Sequence, residues 1–352
     1  MSDIDQPYYW KLLDKDIIPD WIIRIAIRRF NRMRLRQEAE PTPDLQRQRL
    51  MEFVKQLRSS EIAVNTGEAN EQHYEVPTRF YELVLGARRK YSCAYWPQGV
   101  HNLNAAEEAM LQLTAERARI QDGQRILDLG CGWGALSLYL AEKFPNAKIT
   151  GLSNSRTQRQ FIMDQAQKRG LTNVEILTEN MVTFDTKEKF DRVVSVEMFE
   201  HMRNYERLLE NVSRWMQPQA LLFVHVFSHY RFAYPFAVKD GTDWMAEYFF
   251  TGGLMPSDDL LLYFQKDVTC VDHWLMSGIH YQKTARAWLD LLDKNKPEIL
   301  KEFQTVYGSE AVARLARWRI FFMAVEEVWG FSSTKPAGNE WTVSHYLFER
   351  RK

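Results

Sequence analysis

The sequence predicts an α/β protein built on a parallel sheet. An apolar run, Ile126-Leu127-Asp128-Leu129, enters the turn Gly130-Cys131-Gly132-Trp133-Gly134 and continues as a helical pattern. Strand and helix patterns then alternate from Arg125 onward, the rhythm of βαβ units. A second strand, Ala147 to Ser153, follows about 20 residues later, where the second half of a nucleotide-binding unit belongs.

The elements follow in order. Residues 8–36 hold two helical patterns, and the second, from Asp20 to Phe30, has an apolar face with Asp20 as its N-cap candidate. Arg24, Arg28, Arg29, Arg32, Arg34 and Arg36 make that helix basic. It suits an anionic lipid surface, a second subunit or the body of the protein itself, and the sequence leaves these open. The segment Glu38 to Asp44 breaks the helix, and another runs from Leu45 to Ser59. His73-Tyr74-Glu75-Val76-Pro77 precedes a short helix, Arg79 to Leu85, which leads to Tyr91-Ser92-Cys93-Ala94-Tyr95-Trp96 and a helix from Ala105 to Arg119.

The alternation is expected as strand to Gly130, helix Ala135 to Phe144, strand Lys148 to Ser153, helix Arg156 to Lys168 and strand Val174 to Thr178. Strand Arg192 to Val196, helix Tyr205 to Met216 and strand Ala220 to Phe227 complete it. Beyond Ser228 the rhythm stops. Residues 229–264 have the composition of a lid, rich in aromatics such as Phe232, Tyr234, Phe236 and Trp244, with Gly252-Gly253 as candidate hinges. A strand over 266–275, helices over Thr284 to Asp293 and Ala311 to Val328, and a last strand over Trp341 to Phe348 follow. The expected organisation is a helical cap with an entry loop over 1–100 and a sheet domain over 101–352, with the lid inserted at 229–264.

Lysine plus arginine equals aspartate plus glutamate at 46 each, so no net field argues for nucleic acid. The 11 Trp, 15 Tyr and 20 Phe suit an apolar or cationic ligand as well as a bulky core. Cys93, Cys131 and Cys270 show no metal-ligand spacing, and their odd number speaks against a disulfide framework. No apolar run reaches the roughly 18 residues of a membrane span, and the start lacks a signal-peptide pattern. A cytoplasmic protein binding no metal is the expectation, with a homodimer left open.

The glycine turn suggests a flat ligand lying on bare backbone, with Gly130, Gly132 and Gly134 leaving room for it. Asp128 shifts the reading from NAD towards S-adenosylmethionine, since a buried carboxylate suits a cationic aminoacyl group better than a pyrophosphate. The second strand ends in Ser153-Asn154-Ser155-Arg156-Thr157-Gln158 rather than an acid, so Asn154 and Gln158 are candidate ribose ligands. Asn180, after the third strand, is the candidate for the adenine edge. Glu197, Glu200 and His201 emerge where the fourth strand ends, the place for catalytic groups in an open α/β sheet. Methyl transfer to an amine needs a positioned neutral nitrogen and a proton acceptor, which two carboxyls and an imidazole can supply.

The stretches Leu127 to Gly134, Leu152 to Ser155, Val196 to Met202 and Tyr91 to Trp96 resemble the cyclopropane-fatty-acid synthase superfamily of methyltransferases, and within it the coclaurine N-methyltransferase-like enzymes. The likeness continues through Leu262 to Gln265, His273-Trp274, Trp318-Arg319, Glu340-Trp341 and Ser344-His345. It implies a class I (Rossmann-like) methyltransferase fold using S-adenosylmethionine, with Tyr91 and Ser92 against the methionine end of the cofactor. Relatives commonly carry aspartate where Asn180 stands. Amine-modifying relatives carry glutamate at the position of Glu197, and lipid-modifying ones glycine. The latter hold a bicarbonate base with groups matching Cys93, Glu200, His225 and Tyr281, whereas the amine enzymes typically carry glutamate at the position of His225. The chain departs from both patterns. The expected substrate pocket comprises Glu75, Cys93, His225, Tyr234, Trp244 and Tyr281, and the expected activity is N-methylation of a small aromatic or apolar amine. The alternative is a cyclopropane-forming enzyme of lipid acyl chains with bicarbonate as base, and a third reading is a catalytically silent cofactor-binding or lipid-docking protein.

Overall fold

In the computed structural model, which describes residues 8–63, 76–236, 244, 248–249, 252–334 and 336–351, the alternating segments form one seven-stranded sheet. Its strands are β1 (Arg125–Leu129), β2 (Lys148–Ser153), β3 (Val174–Thr178), β4 (Phe190–Val196), β5 (Met216–His229), β8 (Val268–Met276) and β9 (Trp341–Arg350), while β6 (Tyr234–Pro235) and β7 (Leu254–Met255) pair separately. The order is β3-β2-β1-β4-β5-β9-β8. β1 to β5 pair in parallel, and β9 lies antiparallel to both β5 and β8. Ile126, Leu127 and Leu129 are fully buried, because a parallel strand covered on both faces needs an unbroken apolar run. The order reverses between β1 and β4, and the crevice beyond their carboxyl ends is where this architecture binds ligands.

Helices α1 (Tyr8–Leu13), α2 (Asp20–Glu38), α3 (Pro43–Ser59), α4 (Thr78–Val84) and α5 (Leu103–Arg117) precede the sheet. Among its strands lie α6 (Ala135–Lys143), α7 (Arg156–Lys168) and α8 (Tyr205–Trp215), and after β8 come α9 (Ile279–Lys294), α10 (Lys296–Tyr307) and α11 (Ala311–Trp329). α10 was not expected. Pro297 fits its first turn, where a missing N–H costs nothing, and Ile299 and Phe303 bury its inner face. β5 begins at Met216, paired with Phe190, instead of at Ala220, and α8 ends one residue earlier.

Asp20 is not the cap of α2. Pro19 holds that position, and the Asp20 carboxylate accepts two bonds from Arg319 at 2.6 and 2.8 Å. α2 docks on α11: Arg24 donates to Glu327 at 2.6 Å and Glu326 at 2.7 Å, and Arg28 to Glu327 at 2.5 Å. Ile23 joins Trp10, Phe80 and Trp318 in one apolar cluster. Arg34 pairs with Glu38, so three of the helix's arginines serve intramolecular pairs, while Arg29, Arg32 and Arg36 stay exposed beside Trp21 and Ile25. No helix among the described residues is long and apolar enough to cross a membrane. Of the segment expected as a lid, residues 237–243, 245–247 and 250–251 lie outside the described residues.

Candidate active site

β1 delivers its chain into the glycine turn, and the glycines divide their tasks. All three have positive φ, at 79°, 53° and 78° for Gly130, Gly132 and Gly134. A Cβ on Gly130 would meet Met198 at 2.9 Å and one on Gly134 would meet Ile162 at 2.6 Å, so these two glycines allow internal packing rather than ligand approach. Only Gly132 faces open space. The cleft beside it is lined by Tyr91, Ser92, Asp128, Trp133 and Gln158 from one side and by Glu197, Glu200, His201 and Tyr281 from the other.

Asp128 is buried and accepts from Ser137 Oγ at 2.6 Å. Burial pushes its carboxyl up to about 6, against the opposing pull of that hydroxyl. A cationic group would restore its charge, which fits an aminoacyl ammonium. Gln158 is buried, its Oε1 accepting from Ser153 Oγ at 2.8 Å, which leaves its amide nitrogen for a ligand. The lining Thr114 Oγ1 has no hydrogen-bond partner among the described residues. The bare backbone at Gly132, the carboxyl of Asp128 and these polar atoms fit S-adenosylmethionine. Asn154 is exposed, and Asn180 Oδ1 accepts from Val182 N at 2.9 Å in an Asx turn; neither side chain lines the cleft.

The acid cluster sits at the carboxyl end of β4. Glu197 has a left-handed backbone, φ 48°, and strain of this kind at a non-glycine residue persists only where surrounding structure enforces it. Its N–H donates to His225 O at 2.8 Å. Its carboxylate takes two donors, Cys93 N–H at 2.9 Å on Oε1 and Tyr281 O–H at 2.7 Å on Oε2, and His225 Nε2 lies 3.2 Å from Oε1. Burial pushes the Glu197 carboxyl up, while Lys90, the Cys93 N–H and Tyr281 pull it back down. Lys90 is itself buried, donating to Ser92 Oγ at 2.5 Å and Cys93 O at 2.7 Å.

Glu200 differs from Glu197 in every respect that matters. It is 1% exposed, and neither carboxyl oxygen has a hydrogen-bond partner among the described residues. Burial and then the neighbouring Glu197 charge hold it well above the usual carboxylate range. Capping of the next helix is not its task, because Asn204 accepts from Arg207 N at 3.1 Å and caps α8. The cluster therefore pairs one buried carboxylate held by protein hydrogen bonds with one unpartnered, readily protonated carboxyl. Such a pair can hold and move a proton beside a cation.

The cleft thus gathers Tyr91, Ser92, Asp128, Gly130, Gly132, Gln158, Glu197, Glu200, His201 and Tyr281, with Cys93 and His225 directly behind Glu197. Tyr234 and Trp244 are elsewhere: they line a second, apolar cavity of about 470 Å³ between α2, α11 and the lid segment, where Trp341 Nε1 donates to Tyr234 O–H at 2.9 Å. Glu75 lies outside the described residues. Sequence reasoning passed over Lys90 and Ser137, since a buried lysine next to an aromatic loop and a serine inside α6 carry no pattern of their own. No group of His, Cys, Asp and Glu among the described residues is arranged to hold a metal ion.

Residues 63–328 match the family described as mycolic acid cyclopropane synthetase. The chain is 40% identical to (S)-coclaurine N-methyltransferase of Thalictrum flavum subsp. glaucum, over 97% of this chain and 95% of that one. It is 29% identical to the cyclopropane-fatty-acyl-phospholipid synthase of Escherichia coli, over 66% of this chain and 58% of that enzyme. A crystal structure of coclaurine N-methyltransferase bound to N-methylheliamine and SAH superposes with a TM-score of 0.93 at 38% identity, covering 97% of this chain and 98% of the other.

Proposed function

The chain belongs to the mycolic acid cyclopropane synthetase family of S-adenosylmethionine-dependent methyltransferases, and from that premise we propose that it methylates the nitrogen of a small aromatic or otherwise apolar amine. The carrying observation is the Glu197 carboxylate, held by Cys93 N–H, His225 and Tyr281 next to the unpartnered Glu200. The coclaurine N-methyltransferase likeness, which spans 97% of the chain, supports an alkaloid-like amine as substrate.

Asp128, Gly132, Gln158, Tyr91 and Ser92 hold S-adenosylmethionine, which when bound supplies an electrophilic methyl group on a sulfonium. The protein's own residues do the rest. Tyr81, Trp133, Trp288 and Phe321 give the cleft an aromatic wall that excludes water and attracts a cation, worth about 0.5–2 kcal/mol per well-placed ring. Glu197, held among Cys93, His225 and Tyr281, orients the amine. Glu200, which gives up its own proton when the cationic amine settles beside it, takes the proton that the nitrogen must lose, and His201, lining the same cleft, passes it outward. Both carboxyls then offset the charge on the methylated product.

The bicarbonate alternative fits less well. Cys93 N–H, His225 and Tyr281 O–H already serve the Glu197 carboxylate, so a bound bicarbonate would compete for the same donors. On this reading residues 1–100 act as a cap, 101–352 as the catalytic domain and 229–264 as its lid, while Asn154 and Asn180 serve at most the outer edge of the nucleoside. Purified protein given methyl-labelled S-adenosylmethionine, with arylalkyl amines in one pool and unsaturated phospholipid vesicles in another, tests the proposal. Label on amine nitrogen supports it, and bicarbonate-stimulated label in acyl chains replaces it with the lipid reading.

A further inference from the structure

Across the sheet, Val196, His225, His345 and Trp274 lie side by side in register on β4, β5, β9 and β8. The row begins at Glu197, whose Oε1 contacts His225 Nε2 at 3.2 Å, and it ends at Arg117 of α5, whose Nη1 contacts His345 Nδ1 at 2.7 Å. Both histidines are fully buried, with ring centroids 4.5 Å apart. We propose that Arg117 and His345 are positioning residues for the Glu197 carboxylate, fixing His225 as a neutral imidazole that carries its proton on Nε2. This rests on the reading of Glu197 as the carboxylate that orients the amine.

A guanidinium has donors and no acceptor, so His345 Nδ1 must be bare and the proton of the neutral ring must sit on Nε2. His345 Nε2 and His225 Nδ1 are the polar atoms of this pair without a hydrogen-bond partner among the described residues, and they belong to adjacent rings. No hydrogen bond joins the two rings, so the coupling is one of dipoles across their 4.5 Å contact: a His345 ring protonated on Nε2 is complemented by a bare Nδ1 on His225 and a proton on its Nε2, aimed at Glu197. The opposite tautomer of His225 would turn a lone pair towards the carboxylate and remove one of its three donors. Arg117 is itself anchored, its guanidinium lying 4.8 Å from the centre of the Trp274 ring.

Charge acts in the same direction as tautomer. His225 faces Glu197 from β4, Lys90 and Cys93 from the entry loop, Tyr281 from α9 and His345 from β9, with Arg117 beyond it. His345 also senses His273 of β8, which is itself bonded to Asp258 at 2.9 Å. Burial first, and then the cations Lys90 and Arg117 on opposite sides, hold the His225 imidazole well below its ordinary range. Its contact with Glu197 is therefore a hydrogen bond from a neutral imidazole to a carboxylate rather than an ion pair, and the protons of the reaction are left to Glu200 and His201.

The test is nitrogen-15 NMR of the full chain labelled at histidine, read between about pH 6 and pH 9, on wild type and on Arg117→Met, with kinetics alongside. In the wild type His345 and His225 are expected neutral and Nε2-protonated throughout. In Arg117→Met the His345 tautomer becomes mixed, His225 begins to titrate, and kcat falls about tenfold on the acid side with KM for S-adenosylmethionine within twofold. Arg117→Lys restores both. Protonation of His345 on Nδ1 in the wild type overturns the proposal by itself, even where Arg117→Met does not fold. Unchanged tautomers and an unchanged kcat–pH profile in Arg117→Met also overturn it. The NMR readout stands whether or not an amine proves to be the acceptor.

Discussion

The interface between α2 and α11 and the cleft beyond β4 both gather charged side chains, yet they treat them in opposite ways. At the interface, Arg24 meets Glu326 and Glu327, Arg28 meets Glu327, and Arg319 meets Asp20 and Asp293, so each charge has its counter-charge within hydrogen-bond distance. In the cleft, Glu200 has no hydrogen-bond partner among the described residues, and Asp128 leans on a single hydroxyl. A satisfied pair holds elements together. An unsatisfied one costs stability and is kept where a ligand completes it.

Glu200→Gln gives the largest expected separation of the two roles. No protein hydrogen bond is lost and a costly buried acid is removed, so Tm should stay the same or rise, while kcat for the amine falls roughly a hundredfold or more. A drop in both would make Glu200 structural and erase the contrast. Arg319→Leu should behave in reverse. It leaves Asp20 and Asp293, both more than a third exposed, without their shared partner, and unfolding free energy should drop by about 1 kcal/mol with kcat per folded molecule unchanged.

Asp128 sharpens the comparison through pH. Its carboxyl stands at about 6 in the fold, against an ordinary value of 3.8 once the chain is unfolded. Between those values the native state keeps a proton that the unfolded chain has lost, so the apoprotein loses up to about 3 kcal/mol as pH rises through that window. Asp128→Asn should lack that slope in urea titrations and bind S-adenosylmethionine about tenfold more weakly. The smallest effect is expected at the surface: Arg125→Ala breaks an exposed pair with Glu188 and should shift stability by less than about 1 kcal/mol.

Much of this was legible in the chain because it is local. The run from Ile126 to Gly134 specifies strand, turn and helix through neighbours, and Glu197, Glu200 and His201 are clustered in sequence before they are clustered in space. The division of labour among the glycines was not legible, since whether Met198, Ile162 or nothing stands over each is decided by tertiary packing. Asp20 looked like a helix cap because its true partner, Arg319, lies 299 residues away. Tyr234 and Trp244 line the apolar cavity beside α2 rather than the cleft, a division that the chain order does not reveal because it depends on how distant elements pack. α10 escaped notice because its helical period is carried by few buried residues, chiefly Ile299 and Phe303.

On the proposed function, the Glu197 carboxylate, set among the Cys93, His225 and Tyr281 groups, equips this cleft for amine methylation. Glu197→Gly tests it most directly, assayed with an arylalkyl amine in the absence and presence of added acetate or bicarbonate. A loss of kcat of about a thousandfold is expected, partly restored by the small carboxylate as it occupies the site among Cys93, His225 and Tyr281. Amine turnover that survives Glu197→Gly undiminished would contradict it.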